Sequence, residues 1–173
     1  MGGTKHRGRL PGNTLREKPG LRWPGGNFIR ACLDTAIMEA VWRKLRLTIQ
    51  IATKLNRSHR VHGVISYLLP CLGRLDVDQQ ATGAQAVSVE SSVAHFHGSR
   101  RHMVPAGPHL LSEPEIIAGS ARATLTSGEV SWEKWVADYS LIRDAIENTY
   151  PETFKKLNDR LFQPGAIARP VPA

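Results

Sequence analysis

Leu47, Ile49 and Ile51 alternate with Thr48, Gln50 and Ala52, and no other stretch constrains the fold of this chain as tightly. A period of two is that of a half-buried strand, which needs a neighbouring strand and an apolar layer beneath it. Just upstream, Ile37, Met38, Val41, Trp42 and Leu45 recur at helical spacing. Asp34 or Thr35 can cap that helix, and Arg43, Lys44 and Arg46 occupy the end where the dipole favours cations. The result is an α-then-β unit. The strand runs straight into Thr53-Lys54-Leu55-Asn56-Arg57-Ser58-His59, polar residues that no core requires. In open α/β sheets, ligands bind at the carboxyl ends of strands.

Further elements follow the same rules. Val64 to Leu69, ending at Pro70, and the alternating run Gln85 to Val89 both have strand character. Ser112-Glu113-Pro114-Glu115 has the form of a capping box and predicts a helix from Glu113 to about Ala123 that buries Ile116, Ile117 and Ala121. Ser131 opens another helix, in which Trp132, Trp135, Tyr139, Ile142 and Ile146 make one continuous apolar stripe. Pro151 starts a short helix with Phe154, Leu157 and Leu161 on one face, stopped by Pro164-Gly165. The fold class is α/β.

The 173 residues, 41% hydrophobic and 22% charged, suit a single globular domain. The net charge of +8 is an amino-terminal property: residues 1–60 hold 13 Lys and Arg against 3 Asp and Glu. Residues 1–24, with Pro11, Pro19 and Pro24 and no periodicity, read as a disordered or irregular basic leader, and residues 166–173 as a fraying tail. A basic segment is more often a solvated tail than a nucleic-acid arm, and no aromatic residues interleave here to support nucleic acid. Cys32 and Cys71 lie 39 residues apart without CxxC spacing, which favours a reduced, cytoplasmic setting. No apolar run approaches the roughly 20 residues needed to span a bilayer, so no membrane contact is expected.

The words TKLNRSH and LPCLGR resemble the formate-dehydrogenase-like branch of the molybdopterin oxidoreductases, the enzymes of the DMSO-reductase superfamily that carry a bis-molybdopterin guanine dinucleotide. Gly25-Gly26-Asn27-Phe28, Gln85 to Glu90, Ser112-Glu113, Asp138-Tyr139, Ile142-Arg143-Asp144 and Gln163-Pro164-Gly165 fall in the family's order. The resemblance covers about residues 25–165. It implies an incomplete three-layer Rossmann-like domain with a short, mostly parallel sheet flanked by helices. It also implies a molybdopterin guanine dinucleotide held by Gly26, Asn27, Gln50, Thr53, Asn56, Ser58, His59, Glu90 and Arg100. Glu90 would open a cofactor-facing loop ending at Arg100. Lys54, Arg57 and Arg60 can balance pyrophosphate charge or simply be solvated.

Plainer readings exist for each motif. Gly-Gly-Asn is also an ordinary turn, and Asn56 and Ser58 also suit a local cap. His95 and His97 share a strand face, but no fourth zinc ligand is indicated, and Cys71 reads as a buried small hydrophobe. Enzymes of the resembled family are several times longer, and the parts that surround the metal and close over the cofactor have no counterpart in these residues. The resemblance therefore implies a partial domain, inactive alone, with no catalytic residue of its own and the missing portion of the enzyme as its partner on a separate chain. The alternative is a non-enzymatic interaction module whose basic amino-terminal arm binds an acidic partner or nucleic acid.

Overall fold

A computed structural model describes residues 21–22, 27–92, 95–126 and 128–163. The leader, apart from Leu21–Arg22, and the tail expected from the sequence lie outside the described residues, as does Gly26. The chain divides into two compact units, Met1–Leu69 and Pro70–Ala173.

In the first unit a three-stranded sheet has the order β1 (Leu21–Arg22), β2 (Leu47–Ala52), β3 (Ile65–Pro70), and β1 runs parallel to β2. The two-residue β1, flanked by Pro19 and Pro24, stands at the edge, the place where a proline-bounded strand is tolerated. Central β2 forms over the expected residues but does not bury its apolar set alone: Thr48, Gln50 and Ala52 are buried together with Ile51, while Leu47 and Ile49 are half-buried. Ahead of it come α1 (Phe28–Ala31) and α2 (Thr35–Trp42), the latter capped by Asp34, whose side chain accepts from the Ile37 N–H at 2.9 Å. Trp42 and Leu45 of the expected apolar face join Ile29 and Val61 in a buried cluster with Met38 packed against it. Ile37 and Val41 lie outside it, exposed. Gly63 is required where β3 begins: a Cβ there would strike the Leu45 carbonyl, while its N–H donates to Thr48 Oγ1 at 3.2 Å.

The second unit is mixed. Two antiparallel ladders, β4 (Gln79–Gln80) with β5 (Gly83–Ala84) and β6 (Ala86–Glu90) with β7 (Phe96–Arg100), are accompanied by four helices. Helix α3 (Glu113–Thr124) is capped by Ser112 as expected and buries Ile116, but its second buried residue is Ala118, while Ile117 is half exposed and Ala121 only partly buried. The single helix expected from Ser131 is two, α4 (Trp132–Ala137) and α5 (Tyr139–Thr149). Asp138 breaks it: its backbone is extended and its side chain accepts from the Ser140 N–H at 2.9 Å, an N-cap inside the apolar stripe. The last helix, α6, covers only Leu157–Arg160, since Lys156 takes a left-handed conformation after the turns that follow Pro151.

Phe96 and Leu157 form one buried apolar cluster of this unit, with Ile146 and Phe154 against them, and Leu72, Ile116, Ala118 and Leu161 are buried as well. Gly98 allows Phe162 to lie across β7, where a Cβ would run into the ring, and the Arg100 guanidinium covers that ring 4.2 Å from its centroid. Arg143 of α5 donates to the Ala86 carbonyl at 2.9 Å and to Asn158 Oδ1 at 2.5 Å, tying β6, α5 and α6 together. Burial pulls its pKa below the usual arginine value.

Candidate functional site

The segment after β2 folds into a 3-10 turn, Arg57–Arg60, because Asn56 caps it. The Asn56 side chain accepts from the Ser58 N–H at 2.9 Å, and His59 Nδ1 accepts from the Asn56 N–H at 3.0 Å, the reciprocal arrangement of a capping box. The ring is thereby oriented. An accepting Nδ1 places the ring hydrogen on Nε2, and that nitrogen is buried with no hydrogen-bond partner among the described residues.

Ser58, almost wholly buried, adds a second link: its Oγ lies 2.7 Å from Asn27 Oδ1 and against Asn56 Oδ1. The Asn27 side chain does not cap α1, so its amide is committed to this cluster across 31 residues of sequence. Beneath the turn, buried Gln50 donates its amide to the carbonyls of Val61 (3.3 Å) and His59 (3.5 Å). Its role in the structure is to clamp the turn onto β2. Thr53, Lys54, Arg57 and Arg60 are exposed on the same segment.

Five residues singled out from the sequence, Asn27, Gln50, Asn56, Ser58 and His59, are thus brought together in the first unit, with Thr53 at the strand end beside them. Both readings of the motif meet here: Asn56 does cap a turn, with Ser58 inside it as the capped residue, and His59 Nε2 is a buried donor without a partner among the described residues. Glu90 and Arg100 lie in the second unit. They sit at opposite ends of one hairpin, Glu90 opposite Phe96 and Arg100 opposite Ala86, so the stretch expected to be a loop between them is in part strand β7. Glu90 is exposed, and Arg100 stacks on Phe162. Among the described residues no three His, Cys, Asp or Glu side chains converge as a metal site. Cys71 is buried, and burial raises its thiol pKa, with the Glu113 charge adding to it.

A buried polar network in the second unit carries no signal in the sequence reading. Asp78, Ser112 and Tyr139 are each almost fully buried. The Tyr139 hydroxyl contacts Asp78 Oδ2 at 2.5 Å and Ser112 Oγ at 2.7 Å, and the Tyr139 N–H donates to Gln85 Oε1 at 2.9 Å. Burial, reinforced by the hydrogen bond to Asp78, raises the pKa of the phenol. Tyr139 therefore stays protonated, and Asp78 is its acceptor. Tyr139 looked like one more apolar stripe residue and Ser112 like a plain cap; only the contacts across 27 and 61 residues distinguish them.

A mixed α/β chain with a polar, cation-flanked cluster at the carboxyl end of a strand is the class of protein that this fold and site define. The particular relatives are longer proteins. The chain is 45% identical over 143 residues to "Protein YdeP" of Escherichia coli and of Shigella flexneri, a match covering 83% of this chain and 19% of theirs. It is 47% identical over 128 residues to "Uncharacterized oxidoreductase Rv2900c" of Mycobacterium tuberculosis, covering 73% of this chain and 16% of that one. The chain spans less than a fifth of the length of these curated relatives. No family model matches it, and no solved structure does. Among the described residues, no helix is long and apolar enough to cross a membrane.

Proposed function

We propose that this chain is part of an oxidoreductase of the molybdopterin-dependent, formate-dehydrogenase-like kind, and that its first unit contributes one wall of the site for a molybdopterin guanine dinucleotide. The name of the mycobacterial relative supports the oxidoreductase class, and TKLNRSH with LPCLGR supports the molybdopterin branch. The observation that carries the reading is the buried, unpartnered Nε2–H of His59, held in place by Asn56.

A buried donor without a partner is costly, on the order of 1–3 kcal/mol, and a ligand acceptor would relieve it. Phosphate oxygens and purine carbonyls are such acceptors, so the donor set fits the group. In the loaded state His59 and Asn56 would hold acceptor atoms of the dinucleotide, Ser58 and Asn27 would fix the turn, and Lys54, Arg57 and Arg60 would balance the pyrophosphate. Gln50 acts through the turn it clamps. The cofactor, when bound, supplies a molybdenum centre that exchanges electrons with substrate. This chain's residues bind and orient, and the groups that do chemistry belong to the portion of the enzyme beyond it.

Guanosine diphosphate is the simplest probe. Titrated into the isotope-labelled chain, it is expected to shift the amide signals of residues 53–60 saturably and the His59 ring Nε2–H with them. Signals that stay in place across that segment would defeat the proposal.

A further inference from the structure

The first unit holds a second buried donor without a hydrogen-bond partner among the described residues: the indole Nε1 of Trp42, a side chain 2% exposed at the end of α2. An indole nitrogen donates only, so nothing but an acceptor can satisfy it. Leaving it bare costs about 1–3 kcal/mol, as for His59. Phenylalanine would fill a cluster of Ile29, Leu45 and Val61 without that penalty, so packing alone does not account for an indole here.

Two lines of contact join Trp42 to the polar cluster. Its ring lies against that of Phe28, the residue after Asn27, with centroids 5.4 Å apart. It is also buried with Val61, whose N–H donates to the Ser58 carbonyl at 3.0 Å and whose carbonyl accepts from Gln50 at 3.3 Å. The segment that carries Asn27 and the turn that carries His59 therefore both meet at Trp42. Phe28 is 42% exposed, which leaves aromatic surface open beside the buried donor.

The donors of this unit divide by charge. Lys54, Arg57 and Arg60 are exposed cations and suit phosphate, whereas the indole is neutral and set among apolar side chains, where a neutral ring carbonyl is the fitting acceptor. Guanine carries such a carbonyl at C6; adenine carries an amino donor there, which would meet another donor. We propose that Trp42 selects guanine: the base lies against Phe28, its C6 carbonyl accepts from Trp42 Nε1–H, and the diphosphate runs toward Lys54, Arg57 and Arg60. The proposal rests on the cofactor reading of the first unit and assigns the base end of that site.

Guanosine diphosphate, adenosine diphosphate and inorganic pyrophosphate, titrated into the isotope-labelled full chain, separate this claim from the one beneath it. The chain has four tryptophans, so indole Nε1–H signals are few, and Trp42→Phe identifies its own. Guanosine diphosphate is expected to shift residues 53–60 and to move the Trp42 indole signal saturably, binding about tenfold tighter than adenosine diphosphate. Pyrophosphate should shift residues 53–60 and leave the indole in place. In Trp42→Phe the preference for guanine should disappear. An indole signal that stays in place while residues 53–60 respond to guanosine diphosphate, equal binding of the two nucleotides, or a preference that survives Trp42→Phe would overturn the assignment and leave the cofactor reading standing. No response at residues 53–60 to any of the three would remove both. Should Trp42→Phe not fold, the indole signal of the parent chain, assigned through its contact with the Phe28 ring, decides.

Discussion

Two buried polar clusters, one in each unit, are satisfied to different degrees. In the first, apolar side chains pack around Trp42, and the polar cluster of Asn27, Asn56, Ser58 and His59 ends with a buried nitrogen that has no hydrogen-bond partner among the described residues. In the second, the polar network of Asp78, Ser112, Tyr139 and Gln85 is closed around the tyrosine, hydroxyl and backbone N–H alike. A closed network stabilises a fold; one with an unused donor is equipped to meet a ligand.

That contrast can be broken by mutation. The largest effect is expected at Trp42, 2% exposed and stacked against Phe28 at a centroid distance of 5.4 Å. Trp42→Ala should cost the first unit about 3–5 kcal/mol in chemical denaturation, the usual penalty for emptying an aromatic core position. A loss below about 1 kcal/mol would mean that packing is not what holds it.

Next comes Tyr139→Phe, which removes the shared hydroxyl from Asp78 and Ser112 and should cost the second unit about 1–3 kcal/mol. The same variant sharpens the pH dependence. Because the phenol's pKa is raised in the folded state, its contribution is fully present below the ordinary tyrosine value of about 10 and is lost as pH rises above it, when only the unfolded chain releases the proton. Alkaline titration of stability should therefore show a fall in the parent that Tyr139→Phe flattens. Parallel curves would remove Tyr139 from the network's account.

How much of this was legible in sequence depends on range. The extent of Leu47–Ala52, the Asp34 cap and the start of helix α3 rest on local periodicity and capping, and the structure reproduces them, although the strand also buries Thr48 and Gln50 and the helix leaves Ile117 exposed. The break at Asp138 was hidden because the apolar stripe keeps its spacing through both helices, and only the aspartate's own capping bond ends the first. The turn after β2 was legible as a polar word, and its residues do converge, yet Gln50 proved to be the clamp beneath them. Asp78 carried no sequence signal at all. Its meaning lies in a tyrosine 61 residues away, and no local pattern encodes that distance.

The central claim is that the first unit's unsatisfied donor serves a pterin dinucleotide. It is tested most directly by replacing the matching 143 residues of the Escherichia coli relative with those of this chain, producing the hybrid in that host, and assaying pterin and molybdenum per molecule. The account predicts that the hybrid retains both and that His59→Ala in it lowers the pterin content severalfold while the fold persists. Pterin content unchanged by His59→Ala, or absent from hybrid and parent alike, would contradict it.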